Sequence, residues 1–278
     1  MNNSPNGELY VACRNGDINA ANTAIFRGAT DWHLGLYGAC CGGHVALVNM
    51  MIAHGAMNWD WGLYYACCNG HVELVNMMIA CGATIWDGGL YGACCGGHVA
   101  LVNMMIERGA TDWNRGLHGA CRCGQVAPAN MMITHGATDW DRSLYYACYG
   151  GHVTLVNMMI ERGAADWNEG LRGACCSEHV ELVNMMIEHG ATDWNAANGC
   201  SQNIREYVKA QWKLHNAKSA PIIRMLRRYI KRLRDAKRIQ QWWRGTYPLW
   251  LELAYAPPNG IHYRQSFKHF TQLTNSKK

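Results

Sequence analysis

The sequence predicts an all-α solenoid of short helix pairs followed by a basic, mainly helical C-terminal region. Three observations carry this. Leu9, Leu36, Leu63, Leu90, Leu117, Leu144 and Leu171 recur at a spacing of 27 residues, and a fixed period of that size marks a repeat architecture. Each period holds two apolar runs on either side of a Gly-His turn, and helices that short are stable only when packed on neighbours. The charge is also divided. Residues 1–200 carry 8 Lys/Arg against 17 Asp/Glu, and residues 201–278 carry 17 against 3, so the two parts have different physical roles.

Composition sets the frame. The chain has 278 residues, 49% of them hydrophobic, with 14 Cys, 15 Met and 12 Trp against 3 Phe. That skew comes from repetition. Met1 to Gly7 is polar and does not read as a signal peptide, and no window approaches the roughly 18 apolar residues of a membrane span. The expectation is an intracellular protein that is not secreted. Its cysteines then need an explanation other than disulfides.

Along the chain, residues 1–8 are expected to be a disordered or capping N-terminus. Residues 9–197 form seven units: 9–35, 36–62, 63–89, 90–116, 117–143, 144–170 and 171–197. In the fourth unit the first run is Leu90 to Cys95 and the second is Val99 to Ile106. Val99, Val102 and Ile106 form a helical stripe, rich in good helix formers. Gly109 stands where a helix C-terminal cap belongs. Stacking such pairs buries their faces in a quasi-one-dimensional array.

The segment Leu90-Tyr-Gly-Ala-Cys-Cys-Gly-Gly-His-Val-Ala-Leu-Val-Asn-Met-Met-Ile-Glu-Arg-Gly-Ala110 resembles the ankyrin repeat. That family shows a Leu-led first helix with small residues, then Gly-His, an aliphatic second helix, and Gly-Ala. The resemblance spans about residues 9–197. Ankyrin units are about 33 residues long, and here the residues between Gly-Ala and the next Leu are fewer. A short link with little or no β-hairpin is therefore expected. The short units, with their Gly-Leu-Tyr-Gly-Ala-Cys and Asp-Trp-Asn words, resemble those of ankyrin families in giant DNA viruses. This implies a viral origin and a setting in the infected host cell or the virion.

Several columns could pass for active sites. His44, His71, His98, His152 and His179, with Gln125 in the fifth unit, stand one per unit. Successive units lie about 10 Å apart, too far for single histidines to share a metal. They are expected to hold the turns by hydrogen bonds, as in the ankyrins they resemble. Cys13, Cys40, Cys67, Cys94, Cys121, Cys148 and Cys175 occupy a small-residue position and are read as buried hydrophobes. Neighbouring cysteines such as Cys94 and Cys95 point about 100° apart on a helix, which suits neither a shared ion nor a disulfide. The Met-Met pairs are read as core. No catalytic motif or metal spacing appears, so neither an enzyme nor a cofactor is expected.

The candidate partner-binding residues are Trp59, Trp86, Trp113, Trp140 and Trp167, read as lying in the loops after Gly-Ala. They would form either a packing ladder or an aromatic recognition edge, since indole is a common interface anchor. Specificity is expected at positions that vary between units, among them Asp60-Trp61, Asp87-Gly88, Asn114-Arg115 and Asp141-Arg142. An acidic face of the array would bind a protein partner.

Residues 198–278 are expected to be a helical cap or tail. From Ile222 an apolar stripe runs through Leu226, Tyr229, Leu233 and Trp243, opposite a basic face. Its candidate binding residues are Arg224, Arg227, Arg228, Lys231, Arg232, Lys237 and Arg238, with Trp242 and Trp243. Such a helix could seal the last unit, or grip nucleic acid or an acidic protein. Ile239 to Gly245 also resembles the first half of an IQ motif.

Overall fold

The computed structural model describes residues 4–215. All regular secondary structure among them is helical. The chain divides into two compact units, Met1–Ala165 and Asp166–Lys278.

In the first unit the helices pair in chain order: α1 (Pro5–Asn15) with α2 (Ile18–Phe26), α3 (Trp32–Gly42) with α4 (Val45–Ala53), α5 (Trp59–Asn69) with α6 (Val72–Cys81), α7 (Trp86–Gly96) with α8 (Val99–Glu107), α9 (Trp113–Cys123) with α10 (Val126–Thr134), and α11 (Trp140–Gly150) with α12 (Val153–Glu161). The first helices α1, α3, α5, α7, α9 and α11 each pack on the next. Links between pairs are short. Residues 56–58, for example, are the only non-helical, non-turn residues between α4 and α5, and no strand occurs among the described residues. The hairpin of longer ankyrin units is replaced by a three-residue crossing.

The first helices begin four residues earlier than the Leu-led run, at the tryptophan. The cause is the residue before it. Asp31 accepts the N–H of Leu34 at 3.0 Å and Asp112 that of Arg115 at 2.9 Å. Each satisfies an otherwise orphaned donor at a helix start. The Asp-Trp word is thus an N-cap followed by the first helical residue, which corrects the placement of the tryptophans in loops. At the N-terminus, Ser4 caps α1 and Pro5 opens it, so Pro5 to Glu8 belong to a helix. Pro128 is the third residue of α10, where a missing N–H costs little.

In the first unit each first helix ends on a left-handed glycine, as at Gly70 (φ 78°), and the next residue, usually His, starts the second helix. Inside the array, Leu63, Ala66 and Cys67 of α5 are buried against its partner's Leu74, Val75 and Met78. Only the second methionine of each Met-Met pair is fully buried; Met77 and Met104 stay half-exposed while Met78 and Met105 are shut in. Glycine one turn into the first helix makes room for that sulfur: a Cβ at Gly62 would lie 2.5 Å from Met78 Sδ.

The second unit holds α13 (Trp167–Cys176), α14 (Val180–His189) and, after a turn-rich stretch, α15 (residues 202–215). Ile204 and Val208 of α15 are buried, and Tyr207 Oη donates to Asn184 Oδ1 of α14 at 2.8 Å. The start of the C-terminal region therefore packs on the last helix pair. The basic stripe from Ile222, with Arg224, Arg227, Arg228, Lys231, Arg232, Lys237, Arg238, Trp242 and Trp243, lies outside the described residues.

Candidate functional site

The first helices share one pattern. In α3 to α11 the fourth, fifth, eighth and ninth residues turn inward, and the third, sixth and, except for buried Cys95, tenth line one outward stripe, joined by the seventh in α5 and α11. In the first unit this stripe carries most of the large aromatic and cationic side chains. On α5 it presents Trp61, Tyr64, Tyr65 and Cys68, with Trp61 50% exposed. Tyr37 of α3 and Tyr91 of α7 extend the group: ring centroids are 5.5 Å apart for Tyr37–Tyr65, 5.7 Å for Trp61–Tyr64 and 6.0 Å for Tyr64–Tyr91.

Toward α9 and α11 the stripe becomes cationic. The Arg115 guanidinium lies 5.8 Å over the Tyr91 ring, that of Arg122 5.4 Å over Tyr149, and that of Arg142 5.9 Å over Tyr146. All three arginines are exposed. His118, between them, lies 3.3 Å from Asp139 Oδ2 and 5.1 Å, ring to ring, from Tyr146. Burial lowers its pKa, against the pull of Asp139. The face is therefore not acidic at this point, contrary to expectation. The nearby carboxylates are engaged within the array: Asp112 and Asp139 cap helices, Asp139 also facing His118, and Asp87 binds the next link.

That use of Asp87 is one of a series that sequence reasoning missed. Asp87 Oδ1 accepts the N–H groups of Thr111 and Asp112 at 2.8 and 2.9 Å. Asn6, Asp60 and Asn114 hold Thr30–Asp31, Thr84–Ile85 and Thr138–Asp139 in the same way, and Asn168 does so for Thr192–Asp193 in the second unit. Residues read as variable surface are clasps between repeats, and only their neighbours (Trp61, Gly88, Arg115, Arg142) stand on the outward stripe. The signal was available: apart from His33, which accepts from the Met57 N–H, this position is Asp or Asn, whose side-chain oxygen can take two backbone donors.

The histidine column also works between repeats, reaching backwards along the chain. His44 Nε2 lies 3.2 Å from the carbonyl oxygen of Arg14, and His71 Nε2 3.2 Å from that of Cys41. Each donates there in its Nε2–H tautomer. The ring packs on the preceding left-handed glycine, so that a Cβ at Gly43 would meet the His71 ring at 2.6 Å.

The tryptophans Trp59, Trp86, Trp113, Trp140 and Trp167 are the first residues of α5, α7, α9, α11 and α13, and all are half-buried. For three of them one ring face is covered by their own pair's second helix end. Trp113 stacks on His135 at 4.9 Å, Trp167 on His189 at 4.7 Å, and Arg108 lies 6.0 Å over Trp86.

The cysteines separate into two kinds. Cys40, Cys67, Cys94, Cys121 and Cys148 are fully buried, and burial pushes their thiols up to about 12. A second series meets across repeats. Cys95 of α7 lies beside Cys123 of α9, and Cys68 lies close to both Cys41 and Cys123. The neighbouring Cys95 thiol lowers the Cys123 pKa from its ordinary value, aided by Arg122. The angle between adjacent cysteines on one helix gave no hint of this, because the contact is made between helices. Among the described residues no group of three or more His, Cys, Asp or Glu could hold a metal ion, and no helix is long and apolar enough to cross a membrane.

No family model matches the chain, and no curated protein matches it. Among solved structures it is similar to the human ASB11 ankyrin repeat domain, with 22% identity and a TM-score of 0.38 over 56% of this chain and 83% of that one. On its own helix pairs, left-handed glycines and backward-reaching histidines, the fold is an ankyrin-like helical repeat array with shortened links between repeats.

Proposed function

We propose that the chain is a non-catalytic scaffold that binds host or viral proteins through the outward face of its first helices. The observation that carries this reading is the face itself. Trp61, Tyr64, Tyr65, Tyr91, Arg115, Arg122 and Arg142 lie side by side on stacked helices. Tyr, Trp and Arg are the residue types that dominate binding hot spots. The half-buried tryptophans Trp59, Trp86, Trp113 and Trp140 at the starts of the same helices, and Trp167 in the second unit, would add aromatic contacts to a partner. The repeat words support an origin in a giant DNA virus, with action inside the infected cell or in the virion.

The test is proximity labelling in infected cells with the full chain and with a Trp61→Ala/Tyr65→Ala variant. A protein labelled by the first and lost with the second supports the reading. Labelling indifferent to every substitution on this face removes it.

A second reading rests on a different observation, the 17 Lys/Arg against 3 Asp/Glu in residues 201–278. A genome-associated protein would use them on phosphates, with affinity for DNA falling steeply as salt rises. No DNA binding at low salt excludes it.

A further inference from the structure

We propose that the α9–α11 part of the face binds an acidic protein segment in extended conformation, its carboxylates gripped by Arg115, Arg122 and Arg142. The inference rests on the scaffold reading and names the chemistry of the partner.

Charge placement is the first argument. Residues 1–200 hold 8 Lys/Arg, all of them arginine, against 17 Asp/Glu. Three of those arginines lie on the outward stripe of two adjacent helices, so a cationic island sits on an acidic body. Among the described residues, Arg27 is spent on Glu8 at 2.7 Å and Arg172 on Glu169, whereas Arg115, Arg122 and Arg142 lie over tyrosine rings instead.

Preorganisation is the second. Arg122 lies over Tyr149, with Tyr91 close by. A guanidinium stacked on a ring keeps its edge free to take a carboxylate in the two-pronged geometry that arginine favours. It has also lost part of its rotamer freedom before binding, which lowers the entropic cost of the complex.

Spacing is the third. Arg115 and Arg122 are seven residues apart on one helix, which places them about 10.5 Å apart along its axis. A chain in the extended polyproline-II conformation advances about 9 Å in three residues and, at three residues per turn, brings side chains i and i+3 to the same face. A Glu-Xaa-Xaa-Glu step therefore matches the pair, and Arg142 on the neighbouring helix takes a further carboxylate. The surrounding negative charge repels acidic chains that miss this register.

The experiment is fluorescence anisotropy with the full chain and a dye-labelled Gly/Ser peptide carrying Glu-Xaa-Xaa-Glu steps. Binding is expected to fall about tenfold for Arg122→Gln, the order of one lost charged hydrogen-bonding group. It should vanish for the triple Arg115→Gln/Arg122→Gln/Arg142→Gln variant and for a Gln-for-Glu peptide, and survive Arg162→Gln, with circular dichroism reporting that each variant is folded. Equal binding by wild type and the triple variant overturns the proposal, as does binding that instead follows Arg227→Gln/Arg228→Gln. The scaffold reading fails separately. A labelled partner lost with Trp61→Ala/Tyr65→Ala but kept by the triple variant leaves the scaffold standing and removes the acidic segment.

Discussion

The inward and outward faces of the first helices come from the same eleven residues, yet they obey different rules. Inward, the fifth, eighth and ninth residues are Leu, Ala and Cys in α3, α5, α7, α9 and α11, and the fourth is Gly in all but α11, which has Ser143. Ser143 fits because its hydroxyl donates back to the Asp139 carbonyl at 2.7 Å, so no polar group is left unpaired. Outward, the third residue runs through Leu34, Trp61, Gly88, Arg115 and Arg142. The seam is fixed by contact with the next copy of itself, so a change there must fit both sides at once. The face has no such partner inside the array, and its chemistry is free to differ from one pair to the next.

The largest expected effect separates the two faces by stability. Met105→Ala removes a fully buried side chain lodged against Gly89 and should cost about 3 kcal/mol in urea unfolding. Tyr145→Ala on the outward face should stay within about 1 kcal/mol. Similar losses at both sites would break the comparison.

The clasps come next. Asp87→Ala leaves the Thr111 and Asp112 N–H groups without their acceptor, at a cost of about 1–2 kcal/mol. Asp87→Asn should cost far less, because Asn114 and Asn168 make the same bonds. If Asn is as damaging as Ala, the stabilisation comes from charge and not from the two hydrogen bonds.

Thiol reactivity sharpens the contrast without perturbing the fold. The Cys123 thiol, lowered by its Cys95 and Arg122 neighbours, should be alkylated at neutral pH faster than any seam thiol. The seam thiols near 12, Cys40, Cys67, Cys94 and Cys121, should resist iodoacetamide until the chain unfolds. Mass spectrometry that finds uniform labelling contradicts this division.

The smallest effect concerns His118. Its folded pKa lies below the ordinary value of 6.5, so between the two the unfolded chain binds the proton and the folded chain does not. Stability contributed by neutral His118 is present above pH 6.5 and is lost as pH falls toward the folded value. The stability gap between wild type and His118→Gln should therefore narrow on acidification. A gap that widens would mean that Asp139 outweighs burial.

Much of this was open to inspection in the residues. The 27-residue period located the helix pairs, the paired small residues located the seam, and the missing residues after Gly-Ala pointed to a link with little or no hairpin. Trp61, Arg115 and Arg142 were visible as variable positions. The Leu-led run hides the first four residues of the helix, whose start is marked instead by Asp31 or Asp112, a common N-cap residue. Asp60, Asp87 and Asn114 were read as surface because their partners lie 24 and 25 residues away, beyond any local pattern.

What the sequence determined by itself was periodicity: an exact repeat whose short helices can be stable only in contact with one another, and which of their positions face inward. What only the tertiary structure decided was adjacency across the repeat. Cys95 meets Cys123, Arg122 settles between Tyr91 and Tyr149, and His71 reaches back to Cys41. The physical reason is that local pattern encodes which way a side chain points from its own helix, whereas the neighbour it meets depends on how far one helix is shifted and turned against the next.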